Sequence, residues 1–383
     1  MGDLSLINDV NRILWLDAVR TFAIIAVVLV HATENIYVME AAYLNGISWY
    51  SQAFALFSFT LGRLGVPFFL FLTGYLLLDR WFDEPGIFRF WKRNWLGLLT
   101  STEIWIVLYY VFLWVFKFQH WNTKELLRDI TFLGKVNMGH MWYMPMIIGV
   151  YICIPFAARA LKNVRLKTMF YPVLILSFYA FGIPILKVIG NATSSFGHVH
   201  ALLDLGYSGG VYGLYIIFGL CVKRGLFRKL SNLVLSIGVI LSFVLTFALQ
   251  FFSINRGVTY KVWYDCGLLV LCALFLFELF SRIYYNFGND VLTWISKNSF
   301  GIYLIHFPIL LLLKRLLSNI FFMLPMKVLL LWVLVLFISF VLCALIDQST
   351  KLSNIMDTEI QTSHLWNLSA FLWHNENGGH QLC

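Results

Sequence analysis

Apolar runs close to helix-spanning length recur along almost the whole chain, at Ile13–Thr33, Phe54–Leu78, Trp95–Phe116, Met141–Ala158, Met169–Leu186, Tyr207–Val222, Leu233–Phe252, Val262–Phe280, Ser299–Leu313 and Val328–Ile346. An α-helix needs roughly 20 predominantly apolar residues to cross the hydrocarbon core of a bilayer. In hydrocarbon the backbone has no water to bond, so spans of this kind fold as helices that satisfy their own N–H and C=O groups. The expected fold class is therefore all-α, a polytopic transmembrane helical bundle of about ten helices. The sixth and ninth windows are short and carry Gly or Pro, which leaves a re-entrant segment open as an alternative there.

Composition agrees. Of 383 residues, 60% are hydrophobic and 12% charged, where a soluble domain carries about a quarter charged residues. No polar stretch is long enough to fold separately, so one membrane domain is expected over residues 1–346, followed by a cytoplasmic tail, 347–383. That tail holds an apolar patch, Leu365-Trp-Asn-Leu368, and then a polar run. The formal net charge of +9 raises nucleic acid as a partner, but the Lys and Arg residues sit in short clusters between apolar runs, not on one basic face. Membrane lipids are the expected surroundings, and nucleic acid is not an expected partner.

The basic clusters occupy alternate loops: Arg80, Arg89, Lys92 and Arg93; Arg159, Lys162, Arg165 and Lys167; Lys223, Arg224, Arg228 and Lys229. The positive-inside rule places these loops and both termini in the cytoplasm. The loops Asn35–Ser51, Lys117–Gly139, Val188–Leu205 and Ser253–Lys261 then lie outside, the second and third as lids over an outward cavity; Lys314 and Arg315 run mildly against the pattern. A polar dozen residues without a small-residue cleavage site precede the first run, so the first helix is expected to be retained. The six cysteines form no CxxC and fall mostly inside apolar segments. Neither a disulfide framework nor a zinc site is indicated, and no metal is expected.

Ionisable residues at membrane depth carry the functional signal. Helix one holds Asp17, Arg20, His31 and Glu34. Eleven residues are about three helical turns, so Arg20 and His31 share a face and stand roughly 16 Å apart along the axis. Taken alone, these residues read as an i,i+3 Asp17–Arg20 anchor at the inner interface and a His bonded at the outer one. Arg63, Glu103, His140 and His306 in other windows change the balance, because so many polar groups in a bilayer need a shared interior cavity.

Two spacings resemble a known family. Arg20, ten residues and His31, followed by Arg63-Leu-Gly-Val-Pro67 and Thr73-Gly-Tyr75, are similar to the acyltransferase-3 membrane O-acyltransferases. His140-Met-Trp-Tyr-Met-Pro145 and Ser299-Phe-Gly-Ile-Tyr303-Leu-Ile-His306-Phe-Pro308 resemble later blocks of the same family, in particular its surface-polysaccharide O-acetyltransferase branch. The resemblance spans about Asp17 to Pro308 and departs at Thr73, where Ser is common, and in the tail. It implies a bacterial inner-membrane enzyme that takes acetyl from cytosolic acetyl-CoA, with no permanently bound cofactor. The acceptor it implies is a hydroxyl of a surface polysaccharide or its lipid-linked glycan precursor, O-antigen-like.

Within that reading His31 is the general base, with an acyl-imidazole relay as a variant. Glu34 orients its ring, or is simply solvated at the interface. Arg20 holds a phosphate or the thioester carbonyl of the donor, against pairing with Asp17 or Glu103. Arg63 stabilises the oxyanion, or forms a salt bridge with Glu34 or Glu103. His140 and Trp142 bind the acceptor sugar, or belong to the interfacial aromatic belt. Tyr303 and His306 line the same cavity, or make a packing hydrogen bond. The rival class is a secondary transporter or flippase, since buried Arg, Glu and His also build solute paths; a third is a structural subunit.

Overall fold

The computed structural model describes residues 14–134, 139–193, 210–283, 289–318 and 322–356, and among these no strand occurs. The helices run α1 Leu14–Ile36, α2 Ala41–Asn45, α3 Trp49–Arg63, α4 Gly65–Leu77, α5 Glu84–Phe90, α6 Leu96–Val115, α7 Thr123–Ile130 and α8 Tyr143–Leu161. They continue as α9 Leu166–Ser177, α10 Ile183–Thr193, α11 Gly210–Lys223, α12 Asn232–Asn255, α13 Gly267–Arg282, α14 Asn289–Leu317 and α15 Leu324–Met356. Single turns of π-helix join α5 to α6 and α9 to α10, and a 3₁₀ turn, Gly139–Trp142, leads into α8. Among the described residues eight stretches are long and apolar enough to cross a membrane, and α11 is a shorter apolar helix. The chain is a multi-pass helical membrane protein.

Most windows expected from hydropathy return as helices, with three differences. The second is broken: α3 ends at Arg63 and α4 starts at Gly65. Pro67 explains the position of the break, because it has no N–H to give to the carbonyl four residues earlier, which is that of Arg63, and its ring crowds the same oxygen. The eighth window starts too early. Residues 256–266 are loop and α13 begins only at Gly267; Val262, Trp263 and Tyr264 count as apolar but close over the site described below. The ninth, expected to be short, is part of the 29-residue α14. At the C-terminal end α15 continues past Ile346 to Met356; the remaining tail, like residues 194–205 of the third outer loop, lies outside the described residues.

α1 is the centre of the bundle, packed by α3, α4, α13, α14 and α15. Along it Leu16, Val19, Ala23, Ile24, Val27, Val28 and Ala32 are all buried. By contrast α12 turns Leu233, Val234, Ile237, Ile240, Leu241, Val244 and Leu245 outward, a lipid-facing row in a chain of this class. Close backbone approach sets the inner packing. A Cβ on Gly62 would stand 2.6 Å from Val30 Cβ, and one on Gly74 would stand 1.8 Å from the Ile216 carbonyl oxygen. Only glycine lets α3 lie that near α1, and α4 that near α11. Arg224 closes the opposite end. Its guanidinium donates to Asp79 Oδ1 (2.9 Å) and to the carbonyls of Leu161 (3.0 Å) and Val164 (2.6 Å), so it caps α8 and ties it to the end of α4.

Candidate active site

The ionisable side chains of α1 are held by one another and by two further elements, α14 and α3. Asp17, 1% exposed, accepts a 2.6 Å hydrogen bond from Ser296 Oγ on α14 and lies 3.6 Å from Arg20 Nη1. One carboxylate thus joins α1 to α14 and steadies the Arg20 guanidinium. Three turns further on, His31 Nδ1 stands 3.4 Å from Glu34 Oε2. The other oxygen of Glu34 accepts from Arg63 Nη2. Arg63, Glu34 and His31 form a chain in which the Arg holds the carboxylate and the carboxylate faces the imidazole.

The break after Arg63 is what makes this possible. Arg63 is 3% exposed at the last turn of α3, with its guanidinium 4.6 Å from the ring centroid of Phe59 and 4.3 Å from that of Trp263. Nη1 donates to the Tyr264 hydroxyl at 3.3 Å. Of its donors only Nε has no partner. Stacking, a phenol and a carboxylate compensate a cation that would otherwise be very costly at this depth. Of the two roles weighed for Arg63, this arrangement is the salt bridge with Glu34, with the Nε–H left unpartnered.

His31 is not alone. Its ring centroid lies 5.5 Å from that of His306 and 6.2 Å from that of His140, and the latter two are 5.1 Å apart. Phe307 stacks on His140 at 4.6 Å. The hydrogen bonds fix the protons of these rings. His306 Nδ1 lies 2.6 Å from the Tyr303 carbonyl and 3.2 Å from that of Ile302; carbonyls only accept, so Nδ1 carries the hydrogen. The Tyr109 hydroxyl spends its one proton on the Leu304 carbonyl. It therefore faces His140 Nε2, 3.2 Å away, with a lone pair, and His140 donates from Nε2. What remains is an unprotonated Nδ1 on His140 and an unprotonated Nε2 on His306, both buried without a partner. Glu34 beside Nδ1 of His31 likewise leaves Nε2 as that ring's basic atom.

Buried lone pairs of this kind call for a donor. A hydroxyl group supplies one. Among the described residues no group of three or more His, Cys, Asp or Glu is arranged to hold a metal ion.

A cavity of about 160 Å³ lies between α1, α4, α6, α8 and α14. Arg20, Thr73, Leu98, Tyr151, Ser299 and Tyr303 are among its lining residues. Tyr303 forms one wall and donates from its hydroxyl to the His140 carbonyl at 2.7 Å. Arg20 therefore lines the cavity from α1, and Tyr303 stands between the cavity and the His140 backbone. His306 does not line it: three residues beyond Tyr303, it turns toward His31 on α1.

The structure brings His31, Glu34, Arg63, His140 and His306 into one cluster, with Trp142 at its edge, 5.5 Å from Tyr264. Arg20 and Tyr303 sit on the adjoining cavity. His140 is not at an exposed helix end as its place before α8 suggests; it is 1% exposed, because Tyr109 and Phe307 close over it. Glu103 stays outside, half-buried on α6 and without a hydrogen bond or ion pair to the described residues. Tyr109, Trp263, Tyr264 and Phe307 are additions that no spacing announced, since 18% of the chain is aromatic.

A family model described as an acyltransferase domain, that of acyltransferase-3, matches residues 13–347. No curated protein and no solved structure matches the chain. The family match does not favour a transporter.

Proposed function

We propose, on the premise that this chain belongs to the acyltransferase-3 family, that it is a bacterial inner-membrane O-acetyltransferase acting on a surface glycan. In this reading acetyl comes from cytosolic acetyl-CoA, and the acceptor is a hydroxyl of a surface polysaccharide or of its lipid-linked precursor. The observation that carries it is the Arg63–Glu34–His31 chain on the same helix as Arg20, which lines the adjoining cavity.

The chemistry is that of a base held by a carboxylate. His31 Nε2 takes the proton of the acceptor hydroxyl while Glu34 stabilises the imidazolium that results. The acceptor oxygen forms a C–O bond to the thioester carbonyl carbon, the tetrahedral intermediate collapses, and the C–S bond breaks. The departing thiolate takes the proton back from His31. Arg20, at the donor's end of the cavity, holds a donor phosphate, so that the thioester extends toward His31. The lone pairs of His140 Nδ1 and His306 Nε2 accept hydrogen bonds from the acceptor's hydroxyls.

Labelled acetyl-CoA incubated with membranes containing the chain and with isolated surface polysaccharide tests this. Alkali-labile label should appear in the polymer with the native chain and be absent with His31→Ala at equal expression. Equal ester formation by the His31→Ala chain overturns the assignment.

A further inference from the structure

Loop 256–266 places an aromatic surface next to the Arg63–Glu34–His31 chain, and beyond steadying Arg63 it has no role in the scheme above. Trp263 is 37% exposed although one of its faces is taken by the Arg63 guanidinium. Trp142 comes to 5.4 Å of Trp263 and 5.5 Å of Tyr264, and Tyr212 to 5.7 Å of Trp142. These rings arrive from three separate segments: the turn before α8, the start of α11 and the α12–α13 loop. Three segments have converged to present broad, rigid, half-wet rings at one place.

We infer that Trp263, backed by Trp142 and Tyr212, is the platform on which a hexopyranose ring of the acceptor stacks. The inference rests on the glycan reading above and supplies the subsite for it. A pyranose in chair form has a face made of axial C–H groups and a rim of hydroxyls. Such an object matches a flat aromatic face with polar surroundings; an acyl chain would instead require continuous apolar walls. Tryptophan offers the largest such face at small conformational cost.

Position adds a second argument. Arg63 carries Glu34 on its edge and Trp263 on its face, and its Nε is a buried donor without a partner. The same guanidinium therefore fixes both the plane of the platform and the carboxylate that faces His31. A ring seated on Trp263 is held at a set distance from the base, and Arg63 Nε–H is a buried, unpartnered donor beside the platform. Trp263 acts as a specificity and positioning residue in this scheme, with no part in the bond-making step.

Binding without turnover tests it. Saturation-transfer NMR of the purified chain in lipid nanodiscs would be recorded with methyl glucoside, methyl galactoside, methyl mannoside and methyl rhamnoside, and with sorbitol as a polyol lacking a ring face. At least one glycoside should receive saturation on its ring C–H protons, and sorbitol should not. Trp263→Ala should weaken that binding about three- to tenfold, whereas Trp263→Phe, which keeps a ring, should retain most of it. Unchanged binding by a Trp263→Ala chain of native thermal stability overturns the platform, as does a native chain that binds none of the four. Ring-dependent binding without acetyl transfer would leave the platform standing and remove the transferase reading. Transfer to a hydroxyl compound that is not a sugar, with no glycoside bound, would do the reverse.

Discussion

Glu34 presents one carboxylate oxygen to His31 Nδ1 at 3.4 Å while Arg63 holds the other. The imidazole thereby has a defined tautomer and plane, with the Nε2 lone pair left for a substrate proton. Glu34→Gln keeps the shape and removes the charge that stabilises the imidazolium. Turnover of labelled donor should fall by about 10²- to 10⁴-fold, with expression and thermal unfolding unchanged. A variant within a few-fold of the native rate would show that Glu34 does not support the base.

Arg63 has a structural consequence separable from its chemical one. Arg63→Met strands the Glu34 carboxylate, which is about one-third exposed and so keeps some hydration. The expected loss is about 1–3 kcal/mol, read as a lower unfolding midpoint. Glu34→Gln added to Arg63→Met should restore most of the stability and none of the activity. A double-mutant cycle measures the coupling directly; independent, additive losses would contradict the ion pair's importance.

Arg20 should act on the donor alone. Arg20→Ala removes a charge-assisted contact of about 1.5–3 kcal/mol, which predicts a donor KM at least about tenfold higher and an unaltered acceptor KM. Steady-state kinetics with each substrate varied in turn distinguishes this from the opposite outcome, a shift in the acceptor KM, which would move Arg20 to the other side of the reaction.

The α4–α11 contact gives a prediction about folding. A methyl at Gly74 meets the Ile216 carbonyl oxygen at 1.8 Å, whereas one at Gly149 in α8 meets nothing within 4 Å. Gly74→Ala should cost about 1–3 kcal/mol through overpacking, and Gly149→Ala should be neutral or gain up to about 1 kcal/mol of helix propensity. Thermal unfolding of the two variants in the same detergent compares them; a Gly74→Ala chain as stable as Gly149→Ala would mean that α4 and α11 do not approach as described.

Hydropathy alone revealed the bundle, and spacing alone put Arg20 and His31 on one face of α1. The pairing of Glu34 with His31 was also legible, because residues three apart on a helix are neighbours. The break after Arg63 had its signal in Pro67, which hydropathy ignores. The true start of α13 had none: Val262, Trp263 and Tyr264 score as membrane residues, and only the contacts of Trp263 and Tyr264 with Arg63 and Trp142 show that this loop closes a site. Tyr109 was hidden in the same way. It is one aromatic in a helix full of them, and its importance lies in a single hydroxyl that fixes the proton on His140.

α1 meets α14 at two levels, through the Asp17–Ser296 hydrogen bond near one end and through the tilted rings of His31 and His306 near the other. Those two helices therefore form one jaw of the chamber. The other jaw is built from α6 and α8 through Leu98, Tyr143, Met144, Ile147 and Tyr151, none of which touches Glu34 or Arg63. Changing side-chain volume at Leu98, Met144 or Ile147 alters the bore of the chamber. The size of group the chamber admits is thus set largely by residues other than those that hold the base, and the two sets meet at Tyr143, whose ring lies 6.0 Å from that of Tyr303.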